Sequence, residues 1–283
     1  MSTPPTVPSP LSPNPPLAPR PPVPPGRVEL LFLGSGTSAG VPMIGCDCPV
    51  CTSPDPRDKR TRPSVVVRYG GVQVLVDTTP ELRLQAVSNG LTSIDAVVFT
   101  HAHADHIMGL DDVRRFNAIR GGPLDVWADE ATHAALVRCF AYAFRAPSAD
   151  MKVFRPHLDH RQITGPFEVA GATWTPIPLL HGEMPVLGFR VGRLAYCTDV
   201  SRIPDASYPL LKDLDVLVLD ALHKKKHTTH FSLDEAIAEA AKIGAKQTWF
   251  THIAHGLAHA ETNAELPPGV RLAHDGLVVE AGR

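Results

Sequence analysis

Six consecutive residues, His101-Ala102-His103-Ala104-Asp105-His106, gather four groups that bind metal cations. A lone histidine is ordinarily a satisfied core or surface residue, but three imidazoles and a carboxylate in so short a span are hard to assign to independent structural roles. Imidazole and carboxylate are the donors that zinc, manganese and iron take. On an extended backbone the alternate residues His101 and His103 point the same way and can grip one ion, while Asp105 and His106 fall on the next turn and reach a second. Two such ions generate a hydroxide nucleophile at neutral pH and neutralise charge on the group under attack, which is the chemistry of a hydrolase.

A second cluster, Cys46, Cys48 and Cys51, offers three thiolates, one short of the tetrahedral set that structural zinc takes. The remaining cysteines, Cys139 and Cys197, lack the neighbours of an activated thiolate and read as buried small apolar residues. Such uneven spacing is unlike a disulfide framework, so the expected setting is reducing and cytoplasmic. Lys224-Lys225-Lys226, flanked by His223 and His227, reads either as a phosphate-attracting loop or as a solvated face, and Arg114 and Arg115 are equally open. His133, His157, His160, His259 and His274 match no ligand pattern and read as structural or surface residues.

The elements that must hold these groups are short apolar runs alternating with helical patterns. Residues 28–33 read as a strand entering the turn Gly34-Ser35-Gly36-Thr37, and Ser64–Tyr69 with 72–77 straddle Gly70-Gly71 as a hairpin. Residues 95–100 form a buried strand that delivers the His-rich segment onto a rigid support. Residues 129–144 look helical; 214–219 and Gln247–Thr251 look like core strands. Between these two, Ser232-Leu233-Asp234-Glu235 matches a capping box, and Leu233, Ala236, Ile237, Ala240 and Ala241 recur at helical spacing up to Gly244. The pattern implies two mixed sheets with helices on their outer faces.

The H-x-H-x-D-H segment resembles the signature of the metallo-β-lactamase superfamily, and the similarity runs through nearly everything after Arg27. The resemblance implies an α/β fold, an αββα sandwich, in which His181, after a strand at 175–180, joins His101 and His103 around one metal. His252 joins Asp105 and His106 around the other, and Asp199 of Tyr196-Cys197-Thr198-Asp199 bridges both. Each of these distant residues ends an apolar run, where a shared edge would put it. Asp77, closing Val74-Leu75-Val76-Asp77, matches the family's structural aspartate and is expected to orient the His loop rather than bind metal.

Within the superfamily the chain is most similar to the phosphoribosyl cyclic phosphate phosphodiesterase (PhnP-like) group. Gly34-Ser35-Gly36-Thr37-Ser38 leading to Gly40-Val41-Pro42, the cysteine cluster followed by Asp55-Pro56-Arg57-Asp58, and Thr228-Thr229-His230-Phe231-Ser232 carry this likeness. It implies a separate structural zinc held by Cys46, Cys48, Cys51 and His255, three residues beyond His252. It also implies a general acid at His230, 22 residues before His252. Catalysis is thus expected from Asp105 and His230, with two catalytic divalent metals (zinc or manganese) and metal-hydroxide attack on a small, cyclic phosphodiester. A tRNA 3′-processing endonuclease, a lactonase or thioesterase, and a non-catalytic metal-binding module are the alternatives; retention of every ligand together with His230 counts against the last.

Composition bounds the rest. Of 283 residues, 27 are Lys or Arg and 29 Asp or Glu, a formal charge of −2 that gives no excess to draw a nucleic acid through its phosphates. No run reaches the apolar length of a membrane span, and the N-terminus lacks the pattern of a signal peptide. The expected partner is a small phosphodiester, without membrane or nucleic acid, and a homodimer is compatible with the sequence. Twelve of the first 25 residues are proline, so 1–26 read as a solvated, disordered tail and 27–283 as the hydrolase domain.

Overall fold

A computed structural model describes residues 21–145 and 154–283. The first sheet takes β1 (Arg27–Gly34), β2 (Ser64–Tyr69), β3 (Val72–Val76), β4 (Ala96–Val98), β5 (Leu124–Ala128) and β6 (Leu158–Gln162). Helices α1 (Leu82–Ser88), α2 (Ala104–Ile107), α3 (Arg114–Arg120) and α4 (Glu130–Phe140) interleave with them. The second sheet takes β7 (Phe167–Val169), β8 (Ala172–His181), β9 (Met184–Val191), β10 (Leu194–Cys197), β11 (Val216–Asp220), β12 (Gln247–Thr251) and β13 (Val270–Leu272). Here α5 (Leu233–Ile243) precedes β12 and α6 (His259–Glu265) follows it. The last strand, β14 (Val278–Gly282), returns to pair antiparallel with β1, giving seven strands per sheet in the orders β14-β1-β2-β3-β4-β5-β6 and β13-β12-β11-β10-β9-β8-β7.

The continuous apolar runs follow from burial on both faces. Along β1, Val28, Leu30 and Phe32 enter the core between the sheets with Trp174, Phe189 and Tyr196, whereas Leu31 and Leu33 pack outward against the helical layer. Along β11, Val216 and Val218 face inward while Leu217 and Leu219 meet Leu233, Ala236 and Ala240 of α5. That helix starts at the expected capping box, with both reciprocal bonds of Ser232 and Glu235 formed, and stops at Gly244 in the left-handed region.

Strand direction decides where the chemistry collects. Strands β3 and β4 are parallel, as are β10, β11 and β12, and β8 runs with β10 because each is antiparallel to β9. The segments following β3, β4, β8, β10, β11 and β12 therefore share edges of the sandwich.

Two expectations are corrected. The tail does not end at Gly26: the Val23 side chain is buried, its amide donates to the Gly70 carbonyl at 3.0 Å, and the Pro21 carbonyl accepts from Arg68 at 2.8 Å, so two hydrogen bonds hold this stretch to the β2–β3 hairpin. Residues 1–20 lie outside the described residues. Cys139 is exposed rather than buried, because α4 turns Thr132, Leu136 and Phe140 toward the core; Cys197 is buried as expected.

The long β1–β2 connection is tied to the segment after β12 by a buried ion pair. The Arg60 guanidinium, fully buried, meets Asp58 at 2.9 Å and donates to the carbonyls of Ala254 (3.2 Å) and Leu257 (2.7 Å). Asp58 also accepts the His259 amide at 2.8 Å. Arg60→Ala leaves a buried carboxylate uncompensated, and we expect a loss of about 3–5 kcal/mol in urea unfolding; a loss below about 1 kcal/mol would show that water replaces the guanidinium.

Candidate metal centre and active site

Strand β4 ends into Thr100 and His101, and α2 begins at Ala104, so the change from extended to helical backbone splits the six-residue segment into an alternating pair and a helical pair. His101, His103 and Asp199 bring donor atoms within 4.8 Å of one another, and so do Asp105, His106, Asp199 and His252. His181, at the end of β8, forms a third such group with Asp199 and His230. Its ring lies 5.0 Å from that of His103 and 5.8 Å from that of His101. Asp199, 2% exposed, is common to all three groups. Every residue expected at the two catalytic metals is thus drawn to one edge.

The far sides of three of these rings, His101, His106 and His181, are spoken for. The His106 Nδ1–H donates to Asp77 at 2.8 Å, and the His181 Nδ1–H donates to the Thr229 carbonyl at 2.6 Å. Thr100 donates its hydroxyl to Asp77 at 2.8 Å, which leaves its oxygen to accept the His101 Nδ1–H at 3.0 Å. Asp77 also takes the Thr100 amide at 2.9 Å, so it braces the loop in the orienting role expected of it. With Nδ1 committed, these three rings, when neutral, turn a lone pair on Nε2 toward the centre.

Nε2 of His101, His106 and His252 and Oδ2 of Asp105 are buried without a hydrogen-bond partner. Acceptors facing acceptors in a dry pocket are costly unless a cation lies among them, and the nitrogen and oxygen donors suit zinc, manganese or iron. Without metal the cluster holds together through protons. Burial acts against the charge on His252, but Asp199 and Asp105 outweigh it and raise its pKa to about 9. His106 is likewise carried well above the usual imidazole range, against its burial, by Asp199 and Asp77. Burial would raise Asp199, yet His252 and His106 hold it well below the carboxylate range, while burial and the neighbouring His106 drive His101 down.

Three of these residues sit in the left-handed region of backbone space: Asp77 (φ 64°), Asp199 (φ 54°) and His252 (φ 58°). Non-glycine residues seldom adopt it, and here each kink follows a strand end and turns a side chain into the shared edge. Gly36 meets the same edge from the other sheet, bridging Ile253; a Cβ there would lie 2.8 Å from the Arg60 carbonyl oxygen, so only glycine fits.

The sequence reading passed over Asp220. Fully buried at the end of β11, it accepts the His230 Nδ1–H at 2.6 Å and the Val200 amide at 2.9 Å. A signal was available, since Leu217-Val218-Leu219-Asp220 repeats the apolar-run-then-aspartate pattern that marks Asp77. The His230 ring lies 4.5 Å from both His181 and His252, stacked on the latter.

The second cluster stands apart. The Sγ atoms of Cys46, Cys48 and Cys51 lie 3.2, 3.4 and 3.6 Å from Nδ1 of His255, and all three cysteines are free of disulfides. Backbone amides point at the sulfurs, Cys51 N–H to Cys48 and Met43 N–H to Cys51. The first of these bonds pulls the Cys48 thiol down to about 6, whereas burial pushes Cys51 up to about 11. Three sulfurs and an imidazole converging on one point form a donor set that suits closed tetrahedral zinc.

The chain matches the beta-lactamase superfamily domain across residues 73–253, a stretch that carries the H-x-H-x-D-H loop, His181, Asp199 and His252. It belongs to the metallo-β-lactamase superfamily. A crystal structure of a diphosphatase from the PhnP family superposes with a TM-score of 0.84 at 50% identity, covering 90% of this chain and 97% of that one, which puts the chain in this family of metal-dependent hydrolases. An octanoyltransferase of Porphyromonas gingivalis strain W83 is 35% identical over 262 residues, covering 88% of this chain; the chain spans about half (51%) of that relative. A ribonuclease Z of Mycobacterium bovis strain BCG Pasteur 1173P2 is 28% identical over 243 residues, covering 75% of this chain and 85% of that protein. No helix among the described residues is long and apolar enough to cross a membrane.

Two substitutions separate the clusters. For Asp199→Ala we expect both bound metal, by elemental analysis, and turnover to fall, because no other carboxylate belongs to all three donor groups; unchanged metal content with unchanged turnover would remove Asp199 from the centre. Cys48→Ser is expected to release about one zinc per chain and lower the melting temperature, with most activity retained at low temperature. Full zinc content and unaltered melting would mean that the cysteines merely cluster.

Proposed function

We propose that the protein is a dinuclear metal-dependent phosphodiesterase that opens small, cyclic phosphodiesters, with His230 as general acid. In this reading His101, His103 and His181 hold one ion, Asp105, His106 and His252 the other, and Asp199 both, while Cys46, Cys48, Cys51 and His255 hold a structural zinc. When bound, the two catalytic ions supply an activated water and offset charge on the phosphoryl oxygens. The observation that carries the proposal is the Asp220–His230 pair at 2.6 Å on the rim of the donor cluster.

The residues divide the remaining work. Asp220 is a pure acceptor for the His230 Nδ1–H, which fixes the ring and leaves Nε2 as the atom that would hand a proton to the leaving alkoxide. The Val200 amide holds the other side of that carboxylate oxygen. Thr229, next in sequence to His230, uses its carbonyl to orient His181, so one short segment aligns both a proton donor and a metal ligand. The free thiols support a cytoplasmic setting.

A second reading, cleavage of a phosphoric anhydride, is favoured by the PhnP-family relative described as a diphosphatase. Comparing metal-loaded protein on ribose cyclic phosphates, ADP-ribose, a lactone and precursor tRNA decides between these substrate classes; turnover of the anhydride alone would replace the cyclic-diester reading. His230→Ala is expected to lower kcat on a ribose cyclic phosphate by about 10²- to 10⁴-fold with metals retained. The loss shrinks on bis(p-nitrophenyl) phosphate, whose nitrophenolate leaves without a proton. Equal losses on both substrates would deny His230 the role of acid.

A further inference from the structure

In the helical layer outside the first sheet, α1 and α3 wall a cavity of about 440 Å³ that shares no residue with either donor cluster. Leu82, Ala86, Leu91 and Phe116 line it from the core packed beneath that layer. Three more apolar side chains line the same space and yet are left to water: Val87 of α1 at 66% exposed, Ile119 of α3 at 49%, and Phe154 at 59%. Large apolar groups that meet in one concavity at such exposure gain by being covered. A volume of this order is that of a small-molecule site.

The same two helices supply charge. Arg83 precedes Val87 by one turn on α1, and Arg115 precedes Ile119 by one turn on α3, so each cation stands beside an exposed apolar side chain. Both arginines line the cavity, and among the described residues neither has an ion-pair partner. Arg114 is already paired with Asp111 and lies 5.5 Å over the Phe154 ring, while Asp112 is the single carboxylate on the wall among the described residues. Two unpaired guanidiniums against one carboxylate leave the wall positive, and a guanidinium matches a carboxylate ligand in a planar fork. Thr92 is the only uncharged polar residue on that wall, so little there would recognise a sugar or a base.

We propose that the groove between α1 and α3 binds a free fatty acid of medium chain length, its hydrocarbon lying across Val87, Ile119 and Phe154 and its carboxylate held by Arg83 and Arg115. The site stands independently of the hydrolytic reading. The segments that lead into its two helices are tied together, the Thr78 amide donating to the His106 carbonyl at 2.7 Å and the Gly109 amide to the Thr78 carbonyl at 2.9 Å. A ligand clasped between helices joined in this way is expected to stabilise the folded chain as a whole.

Calorimetry and thermal melting of the metal-loaded protein with decanoate test this, with acetate and decanol as its two fragments. Decanoate is expected to bind once per chain, more tightly than either fragment, and to raise the melting temperature. Replacing both cations, Arg83→Met with Arg115→Met, is expected to weaken decanoate about 10- to 100-fold. Ile119→Glu, which sets a like charge in the apolar part, is expected to weaken it as well, and Arg120→Met, on the same helix but outside the cavity, to leave it unchanged. All four positions are exposed, and melting of each variant without ligand checks that it folds. The comparison of decanoate with decanol on the wild-type chain needs no variant. Absence of decanoate binding, equal affinity for decanol, or undiminished affinity in the double variant overturns the proposal. Phosphatidylglycerol vesicles that capture the wild-type chain and not the double variant would overturn it too, by assigning the arginines to a membrane surface.

Discussion

Burial of the Asp199 carboxylate is the constraint around which this edge of the molecule is arranged. An ionised group out of contact with water is tolerable only beside opposite charge, and the neighbours are His106 and His252 at 3.3 Å each and His101 at 3.8 Å. These imidazoles come from both sheets, so the carboxylate can be satisfied only when the sandwich is closed. The fold and the centre therefore depend on each other: the core between the sheets brings the strand ends together, and the charges there require what the core delivers.

Two further buried carboxylates play matching parts on opposite sheets. Asp77 ends β3 and fixes His106 through Nδ1; Asp220 ends β11 and fixes His230 in the same way. In each case a pure acceptor takes the Nδ1 proton and so selects which nitrogen faces inward. The difference lies in what that nitrogen then meets. His106 joins a group of orphaned acceptors that suits a cation, whereas His230 is the ring to which the proposed acid role falls.

The loop between β1 and β2 reaches this edge by three routes: the Gly36–Ile253 bridge, the buried Arg60–Asp58 pair and the convergence of three cysteines on His255. All of them seize the few residues after His252. Redundancy of this kind restrains a segment that carries a donor of the centre. It is also the reason loss of the thiolate site is expected to soften the molecule more than it silences it.

Much of this was legible in the residues themselves. Spacing within 101–106 pointed to converging donor side chains, because neighbours on a strand end and a first helical turn come together whatever the rest of the chain does. Apolar runs and the capping box at Ser232 marked β1, β11, β12 and α5, since periodicity and local hydrogen bonding are properties of short segments. Strands β6, β7 and β14 escaped notice, being short or polar on one face and defined by the partners they meet. What only the tertiary structure decided was pairing at a distance: Asp220 with His230, Arg60 with the carbonyls after His252, and the return of β14 to β1. Left-handed kinks at Asp77, Asp199 and His252 belong to the same class, because no local preference favours them and only the closed sandwich, with its buried charges to satisfy, makes their strain worth bearing.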